Sequence, residues 1–479
     1  MTSGLNFWDL EVWTFVITLS LLLGAMLLAN FLRRRVAFFR KSLIPASVLG
    51  GFLVLAADAI FYAVFKYHMF ETATLEMLTF HGLGLGFVAL AWRKADGRRT
   101  SGEARRDVFN TSSVVVGSYL IQALVGLFIT IILFYLIGSY AAGGILLPMG
   151  FGQGPGQALN WGNIYQNYTD YPAFQNGASF GLTVAAMGFV AASVGGVAHL
   201  NKMRRDGDSR AQVQNADEME DLTASKITDK GEIPIAESMD KLTVQVAIVF
   251  VTYLVTFAAM WYVTVLLDSL GGFWVGTVKP LLWGFNFLVG TAFAMLFKGI
   301  LEKMRKRGIV HRDYINNFML NRISGLFFDI MVTASIAAIS LEAFKHPEFV
   351  VPLILICVAG ALVTYWYNLK ICRRLFPDYF DEAFLSLYGM NTGTASTGII
   401  LLREIDPLFD TPASHNLIYQ NLWSIILGAP MLLLLGFAAR SMTWTWIVLG
   451  IVAVLFAGMV AIQLIRAKNL AKRREGSVK

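Results

Sequence analysis

Charged residues are scarce in this chain of 479 residues. Asp, Glu, Lys and Arg make up only 15% of it, whereas soluble domains carry about 25%, and 56% of the residues are hydrophobic. So little charge argues against a water-soluble domain and predicts an integral membrane protein. The formal net charge of +7 comes from short basic clusters beside apolar runs, a pattern typical of the cytoplasmic loops of membrane proteins. We therefore expect a lipid bilayer, and no nucleic acid, among its partners.

Cysteine is nearly absent, with Cys357 and Cys372 as the only two. They match neither a paired zinc motif nor a disulfide framework, so we expect both to be packing residues. The chain also lacks a nucleophile elbow and an HExxH zinc motif, and no Lys-Ser/Thr follows the glycines of HGLGLG at 81–86. We therefore predict a protein that is not an enzyme and has no organic cofactor.

Long apolar runs of about 20 residues, the length needed to cross a bilayer as a helix, recur along the whole chain. They are too continuous for barrel strands, in which apolar and polar residues alternate. The sequence therefore predicts an all-α polytopic membrane protein with about eleven crossings. The predicted crossings are 11–32, 43–65, 76–92, 113–137, 178–199, 242–266, 273–297, 315–341, 349–370, 416–438 and 443–465.

Clusters of Lys and Arg indicate which helix ends face the cytoplasm. Basic clusters follow the first crossing at 33–41 and the last at 468–474, which predicts an N-terminus outside and a cytoplasmic C-terminus. Arginines, not a small-residue cleavage site, follow the first crossing, so we expect it to span the membrane. The predicted parts are an N-terminal five-helix repeat at 1–200, a polar cytoplasmic linker at 201–241, a C-terminal five-helix repeat at 242–440, and an extra helix with a basic tail at 441–479.

Two glycine-rich stretches interrupt the apolar pattern, one in each half of the chain. PMGFGQGPGQALNWG at 148–162 follows the apolar helix 114–137, and YGMNTGTASTGIILL at 388–402 follows the apolar helix 349–369. A further crossing comes after each break, so the order of elements is the same in both halves. Because each half holds an odd number of crossings, we expect an inverted repeat, with the first break entering from outside and the second from the cytoplasm.

Paired breaks in inverted repeats are the sequence pattern that indicates the midplane site of a secondary transporter. Irregular backbone is tolerated at membrane depth only where protein or a water-filled cavity satisfies its polar groups, so we expect the two breaks to meet in a solvated interior. Half-helix N-termini there offer N–H groups and a partial positive charge to a carboxylate, and unwound carbonyls can ligate a small cation. The alternative for 148–162 is a simple extracellular turn.

Amide and hydroxyl side chains crowd both breaks and supply the candidate ligands. The amides of Gln153, Gln157 and Asn160 suit a substrate carboxylate or ammonium, and hydroxyl and carbonyl oxygens suit a hard cation such as sodium. The alternative for any one Thr or Ser is a hydrogen bond to its own helix. The predicted substrate-binding residues are Gly152, Gln153, Gly154, Gly156, Gln157, Asn160, Asn391, Thr392, Gly393 and Thr394. The predicted sodium ligands are Thr394, Ala395, Ser396, Thr397 and Asp329.

Asp329, in the apolar run LFFDIMVTASIAA at 326–338, is a rare acidic residue inside a predicted crossing. Ionisable residues at membrane depth are functional candidates by default, and the alternative is a structural pair with a neighbouring hydroxyl. If Asp329 titrates during transport, the protein is a proton-coupled transporter or antiporter. A channel whose two glycine-rich loops form a selectivity filter is a further alternative.

Both breaks resemble the glycine-rich stretches of the bacterial sodium/glutamate symporter family, which are of the types GGxGTGAAW and GFGLGATPTA. Their counterparts here are GFGQGPGQALNW at 150–161 and YGMNTGTASTGI at 388–399, and IPASVLGGFLVL at 44–55 is similar to the family's IPEPVxGGLL element. The residues that match the two motifs are Gly150, Gly152, Gly154 and Gly156 in the first and Gly389, Gly393, Thr394, Ala395 and Thr397 in the second.

The resemblance implies a homodimeric inner-membrane transporter that couples the symport of glutamate, or a related amino-acid or dicarboxylate anion, to sodium. It also implies inverted five-helix repeats and an elevator movement of a transport domain past a scaffold domain. Gln153 and Gln157 stand where the family often has His and small residues, and Ser396 stands where it has Pro. The last helix and the long linker are further departures, which we expect to leave chemistry and coupling unchanged.

Overall fold

The computed structural model describes residues 6–94, 102–168, 173–208, 239–407 and 411–477. Within these ranges the fold is all-helical and contains no β-sheet, as the apolar runs predict. Residues 209–238 of the predicted linker lie outside the described residues. The helices, numbered here in chain order, are α1 Leu10–Arg35, α2 Ala37–Ser42, α3 Ala46–Phe65, α4 Thr72–Trp92, α5 Gly102–Ile137, α6 Leu146–Pro148, α7 Pro155–Gln166, α8 Gly177–Arg205, α9 Lys241–Leu270, α10 Lys279–Gly284, α11 Asn286–Lys306, α12 Asn317–Ala337, α13 Pro347–Leu375, α14 Phe380–Thr392, α15 Ala395–Arg403, α16 Pro412–Tyr419, α17 Asn421–Ala438 and α18 Met442–Ser477.

Nine of the described helices are long and apolar enough to cross a membrane, and the number rises to eleven if each of two bent helix pairs is one span. The pairs are α10 with α11, bent by 60°, and α16 with α17, bent by 48°. Each predicted crossing coincides with one of these eleven. The prediction of an all-α, multi-pass membrane protein is confirmed, whereas the orientation of the helices in the membrane stays a prediction.

Several of the basic clusters used to predict orientation lie at helix C-termini. Arg33, Arg34 and Arg35 are in the last turn of α1, and the last turns of α8, α11 and α13 are also basic. The C-terminal end of a helix carries partial negative charge, so cations are stabilising there. The same basic residues therefore stabilise the C-terminal end of a helix and predict that this end faces the cytoplasm.

The described residues form two compact units, each discontinuous along the chain. One unit consists of the described parts of Met1–Glu76, Arg99–Gln214 and Thr333–Lys479, and we call it the hairpin unit because it contains both glycine-rich breaks. The other, the small unit, consists of those of Met77–Arg98 and Asn215–Val332. Each unit combines segments from both predicted halves, so chain order does not define the compact units. The division of the chain into two repeats stays a prediction.

The small unit is held by an apolar core with polar contacts at its edge. Trp92 Nε1 donates to Thr252 Oγ1 at 2.9 Å. Lys298 Nζ donates to the carbonyls of Ala91 and Arg93, each at 2.8 Å, and satisfies carbonyls that the end of α4 leaves open. The core residues are Leu85, Val88, Ala89, Trp92, Val249, Ala294, Ile315, Leu320 and Ile323.

Helix α5 is the central helix of the hairpin unit. Every residue from 110 to 123 is buried, so this stretch is covered on all its faces. Helices α13, α17 and α18 pack against it, as does the 3₁₀ segment Ala141–Ile145. A helix without an exposed face is typical of the interior of a large protein.

The last helix, α18, is part of this interior. Gln463 Nε2 donates to the Ser113 carbonyl of α5 at 2.7 Å, and Tyr367 Oη of α13 donates to Gln463 Oε1 at 2.8 Å. Arg466 Nε donates to Asn110 Oδ1 at 2.5 Å. The helix predicted as an addition therefore supports α5 and α13, the two helices that precede the breaks.

Candidate functional site

Residues 141–166 form a helical hairpin, hairpin 1, whose first arm lies along one half of α5. The arm starts beside Thr130, whose hydroxyl donates to the Ala141 carbonyl at 2.6 Å. It ends at Gly152, whose carbonyl accepts a hydrogen bond from Tyr119 Oη at 3.0 Å. The first arm thus runs along α5 from Thr130 to Tyr119, and the chain reverses there into the return arm, α7.

Glycines allow hairpin 1 to pack closely on its neighbours. Gly144 of the first arm lies against the backbone of Gly126 in α5, and Gly162 of the return arm lies against the carbonyl of Gly177 in α8. A methyl group at Gly126, Gly144 or Gly162 would collide with backbone atoms. Small residues permit such close backbone approach in membrane bundles. Hairpin 1 is therefore held directly by α5 and α8.

Residues 380–403 form hairpin 2, which lies along the other half of α5. Its first arm, α14, begins beside Tyr379, whose hydroxyl donates to Asp107 Oδ2 at 3.0 Å. The arm ends near Asn391, whose carbonyl accepts from Gln122 Nε2 at 2.8 Å. It therefore runs along α5 from Asp107 to Gln122, and α15 returns from its tip. The two hairpins approach the middle of α5 from opposite ends.

The tips of the hairpins touch midway along α5. A Cβ atom at Gly154 would lie 3.4 Å from Thr394 Cγ2, and Gly188 of α8 lies against both the Thr392 carbonyl and the Phe151 ring. Gly154 has a φ of +88°, a conformation that L side chains rarely adopt, so glycine permits the chain reversal. The structure thus brings the two glycine-rich breaks together at one point, which we call the junction.

Two helix N-termini meet at the junction. α7 begins at Pro155 directly after Gly154, and α15 begins at Ala395 directly after Thr394. Neither Gly154 nor Thr394 caps its helix with a side-chain hydrogen bond. First-turn N–H groups lack intrahelical acceptors, and aligned peptide dipoles add partial positive charge. The junction is therefore suited to an anion such as a carboxylate.

A cluster of buried polar side chains lies beside the junction and joins α5, α13 and α14. Asn391 Nδ2 donates to Ser118 Oγ at 3.0 Å and to Asn368 Oδ1 at 3.2 Å. Asn368 Nδ2 donates to Ser118 Oγ at 3.1 Å, and Gln122 Nε2 donates to Thr364 Oγ1 at 2.9 Å. All of these residues are 0% exposed. We call them the amide cluster.

The predicted substrate-binding residues all lie in the hairpin unit, but their side chains differ in surroundings. Asn391 belongs to the amide cluster, whereas Thr392 Oγ1 donates to the Tyr388 carbonyl of its own helix at 2.7 Å. The hydroxyl of Thr392 thus makes the intrahelical bond that membrane helices often contain. Of the rest, the buried residues are Gly152, Gly154, Gly156, Gln157 and Gly393, and the half-buried ones are Gln153, Asn160 and Thr394.

The predicted sodium ligands are divided between the two units. Thr394 Oγ1 and Thr397 Oγ1 lie 3.5 Å apart at the start of α15, where Ala395 and Ser396 are exposed. Asp329 belongs to the small unit and has an exposed side chain on α12. Only the α15 residues are brought together within one unit. In the described ranges, no group of three His, Cys, Asp or Glu side chains is placed to hold a metal ion.

Four residues of the amide cluster are missing from the predicted site. Ser118 and Gln122 are four positions apart on α5, and Thr364 and Asn368 are four positions apart on α13. Residues at this spacing share a helix face. The signal that identifies them is a pair of polar residues on one face of the apolar helix before each break.

Titratable and charged side chains lie at the base of hairpin 2, away from the junction. Asp381 Oδ1, in the first turn of α14, is 3.0 Å from Nε2 of His199, which is buried. Burial raises the pKa of the Glu404 carboxyl, just after α15, and the nearby Arg204 and Arg33 lower that pKa. The amide cluster contains no ionisable side chain, so the tip of hairpin 2 is neutral where its base is charged.

No protein-family model matches the chain, and no curated protein is significantly similar to it. The fold and the junction define the class of protein: an all-helical, multi-pass membrane protein in which two helical hairpins meet inside one compact unit. The likeness to sodium/glutamate symporters rests on the stretches at 150–161 and 388–399 and remains a resemblance.

Proposed function

We propose that the protein is a secondary transporter that couples the symport of glutamate, or a related amino-acid or dicarboxylate anion, to sodium. The observation that carries the proposal is the meeting of the two hairpin tips midway along α5, where a Cβ atom added at Gly154 would lie 3.4 Å from Thr394 Cγ2. In secondary transporters, paired breaks of helical structure near the bilayer midplane usually form the binding site.

The junction binds the anionic end of the substrate. The first turns of α7 and α15 converge there, and their N–H groups and dipoles favour a carboxylate. Of the half-buried amides, Gln153 lies in the same tip and Asn160 lies in the second turn of α7, and both orient the rest of the substrate. Gln153 and Gln157 stand where the symporter family often has His and small residues, and these are the positions that select among related anions.

The two halves of the chain are inverted repeats in this proposal. Two observations support it. The hairpins run along α5 from opposite ends, and each follows a helix that carries a polar pair spaced by four residues. Inverted repeats related in this way would insert the two hairpins from opposite faces of the membrane.

The hairpin unit carries the bound substrate. Both tips and the amide cluster belong to this one compact unit, which suits an elevator mechanism, in which the whole binding site moves. The symporter resemblance further supports a homodimer in the bacterial inner membrane, and the basic clusters after the first and last crossings support an N-terminus outside and a C-terminus in the cytoplasm.

Uptake into proteoliposomes tests the proposal. A panel of labelled amino acids and dicarboxylates is offered under a sodium gradient, a proton gradient or no gradient. Saturable accumulation of one acid under the sodium gradient is expected, and Asp329→Asn should retain it. Failure of every acid to accumulate rejects the proposal. Proton-driven uptake that Asp329→Asn abolishes would establish the proton-coupled alternative instead, and ohmic currents would establish the channel.

A further inference from the structure

Every amide proton of the amide cluster already has an acceptor. Gln122 Nε2 donates to Thr364 Oγ1 at 2.9 Å and to the Asn391 carbonyl at 2.8 Å. Asn391 Nδ2 donates to Ser118 Oγ at 3.0 Å and to Asn368 Oδ1 at 3.2 Å. Asn368 Nδ2 donates to Ser118 Oγ at 3.1 Å and to the Thr364 carbonyl at 2.8 Å. Because a side-chain amide has two N–H groups, all three amides are fully used as donors.

The acceptors of the cluster are not used up. Within the described part of the chain, the buried atoms Gln122 Oε1 and Asn391 Oδ1 have no hydrogen-bond partner. The hydroxyl proton of Ser118 goes to the Val114 carbonyl at 2.9 Å and cannot serve them. Buried acceptors without a partner are rare because nothing offsets their loss of hydration. The cluster therefore has two oxygens to spare and no amide proton.

This imbalance defines the charge of a ligand. Spare carbonyl oxygens attract a cation and repel an anion, and side-chain amide oxygens are ligands that hard cations prefer. The cluster contains no carboxylate, and neutral ligands suit a monovalent ion better than a divalent ion, which sheds its water reluctantly. We propose that the amide cluster binds a sodium ion through Gln122 Oε1 and Asn391 Oδ1.

This position differs from the predicted ligands on α15 and explains how the ion could be coupled to the substrate. Asn391 is in the tip of hairpin 2, and Gln122 is in the middle of α5. A sodium ion bound to both would hold that tip against α5, beside the helix N-termini that take the anion. Its charge would also attract the substrate carboxylate. By linkage, sodium and substrate would then raise each other's affinity. The coupling role rests on the proposed function, but sodium binding itself does not.

Thermal unfolding of the purified full chain, without substrate, tests the binding. Sodium chloride is titrated against choline chloride at constant ionic strength, with potassium and methylammonium chloride as further arms. Sodium should raise the Tm of the wild type in a saturable way, because a ligand of the folded state stabilises it. Gln122→Met and Asn391→Leu remove the spare oxygens at similar size and should weaken sodium binding about ten-fold or more.

A matched control separates sodium binding from general stability. Gln463 is a buried amide in the same unit whose groups are paired with Tyr367 and Ser113, so Gln463→Met should lower the Tm but keep the full sodium shift. If the Met and Leu variants fail to fold, Asn391→Asp keeps an oxygen, adds charge and should tighten sodium binding.

Three results overturn the inference: a wild type whose Tm is insensitive to sodium, an unchanged sodium shift in both oxygen-removing variants, or a shift that methylammonium produces and sodium does not. The last would assign the spare oxygens to a substrate ammonium. Sodium-driven uptake that survives in these variants would reject this site and leave the proposed function standing. Sodium binding at the cluster without sodium-driven uptake would support this site and reject the proposed function.

Discussion

Hairpin 1 and hairpin 2 reach the same point on α5, yet they are held differently. In hairpin 1, Gly144 and Gly162 bring the arms against the backbones of α5 and α8, and residues 155–159 of the return arm are all buried. In hairpin 2, Gly398 of the return arm lies against the Ser386 carbonyl of its own first arm. Ala395 in the first turn of that return arm is exposed.

The difference indicates which hairpin can move. An arm that interlocks with neighbouring helices through backbone contacts cannot shift without disturbing them, because packed interiors deform little. The return arm of hairpin 2 packs mainly on its own first arm, so it can shift without disturbing the contacts that the first arm makes with α5 and α13. We therefore expect hairpin 1 to be the fixed side of the junction and hairpin 2 to be the side through which ligands gain access.

The largest expected effect is a loss of stability caused by a substitution in hairpin 1. Gly144→Val forces a branched side chain into the backbone of Gly126, and overpacking of this kind should lower the free energy of unfolding by about 3 kcal/mol or more. Denaturant unfolding in detergent measures the loss. The control is Gly24→Ala, at a helical position with nothing within 4 Å of the added Cβ, which should change stability by about 1 kcal/mol at most. Equal losses in both variants would contradict the close packing of hairpin 1.

The next effect compares the two tips. Gly154→Ala places a side chain at φ +88°, a strain of about 1–2 kcal/mol, and should weaken substrate binding about ten-fold. At Gly393 the φ is −127°, and an added Cβ would meet Thr397 Oγ1 at 2.9 Å and the Gly389 carbonyl oxygen at 3.1 Å, without the strain of a positive φ. Gly393→Ala should therefore weaken binding less. Equilibrium binding of labelled substrate measures both, and the opposite order would reject a fixed hairpin 1.

A third effect concerns α18, which packs against α5 and α13, the helices that precede the two hairpins. Gln463→Leu removes the acceptor of the Tyr367 hydroxyl and the side-chain hydrogen bond to the Ser113 carbonyl, which join α18 to α13 and α5, so the free energy of unfolding should fall by about 2 kcal/mol. Val454→Ala on the same helix, at a position 71% exposed, should change it by less than about 0.5 kcal/mol. If the two variants unfold alike, α18 is not the support that its contacts indicate.

The smallest effect on stability is expected from two cysteine substitutions that test directly whether solvent reaches each hairpin. Ser396→Cys introduces a thiol on the exposed turn of hairpin 2, and Ala158→Cys introduces one at a buried position of hairpin 1. A membrane-impermeant maleimide should label the first quickly and the second slowly. Background should be low because Cys357 and Cys372 are buried. Equal labelling rates would show that the two tips do not differ in access.

Local signals in the sequence predict the helices and the breaks. An apolar run of spanning length is sufficient to define a helix such as α5, and the glycines at 150–156 are sufficient to predict that a helix stops. The polar pairs Ser118/Gln122 and Thr364/Asn368 are visible in the sequence, but the sequence does not show that these faces of α5 and α13 meet, and the amide cluster depends on that meeting. For Thr392 the sequence leaves a substrate contact and a hydrogen bond to its own helix as alternatives, and the structure shows the hydroxyl bonded to the Tyr388 carbonyl. The combination of segments into two units also depends on contacts between distant parts of the chain.

The contact between Gln463 and Ser113 has a consequence for how the protein is made. It joins residues 350 positions apart, so the ribosome produces α5 long before its partner exists. Until α18 is inserted, the Ser113 carbonyl and the Asn110 side chain of α5 lack the hydrogen bonds that Gln463 and Arg466 supply. The hairpin unit therefore cannot reach its final packing during synthesis of the first half, and a chain that stops before α18 should be recognised by quality control as unfinished.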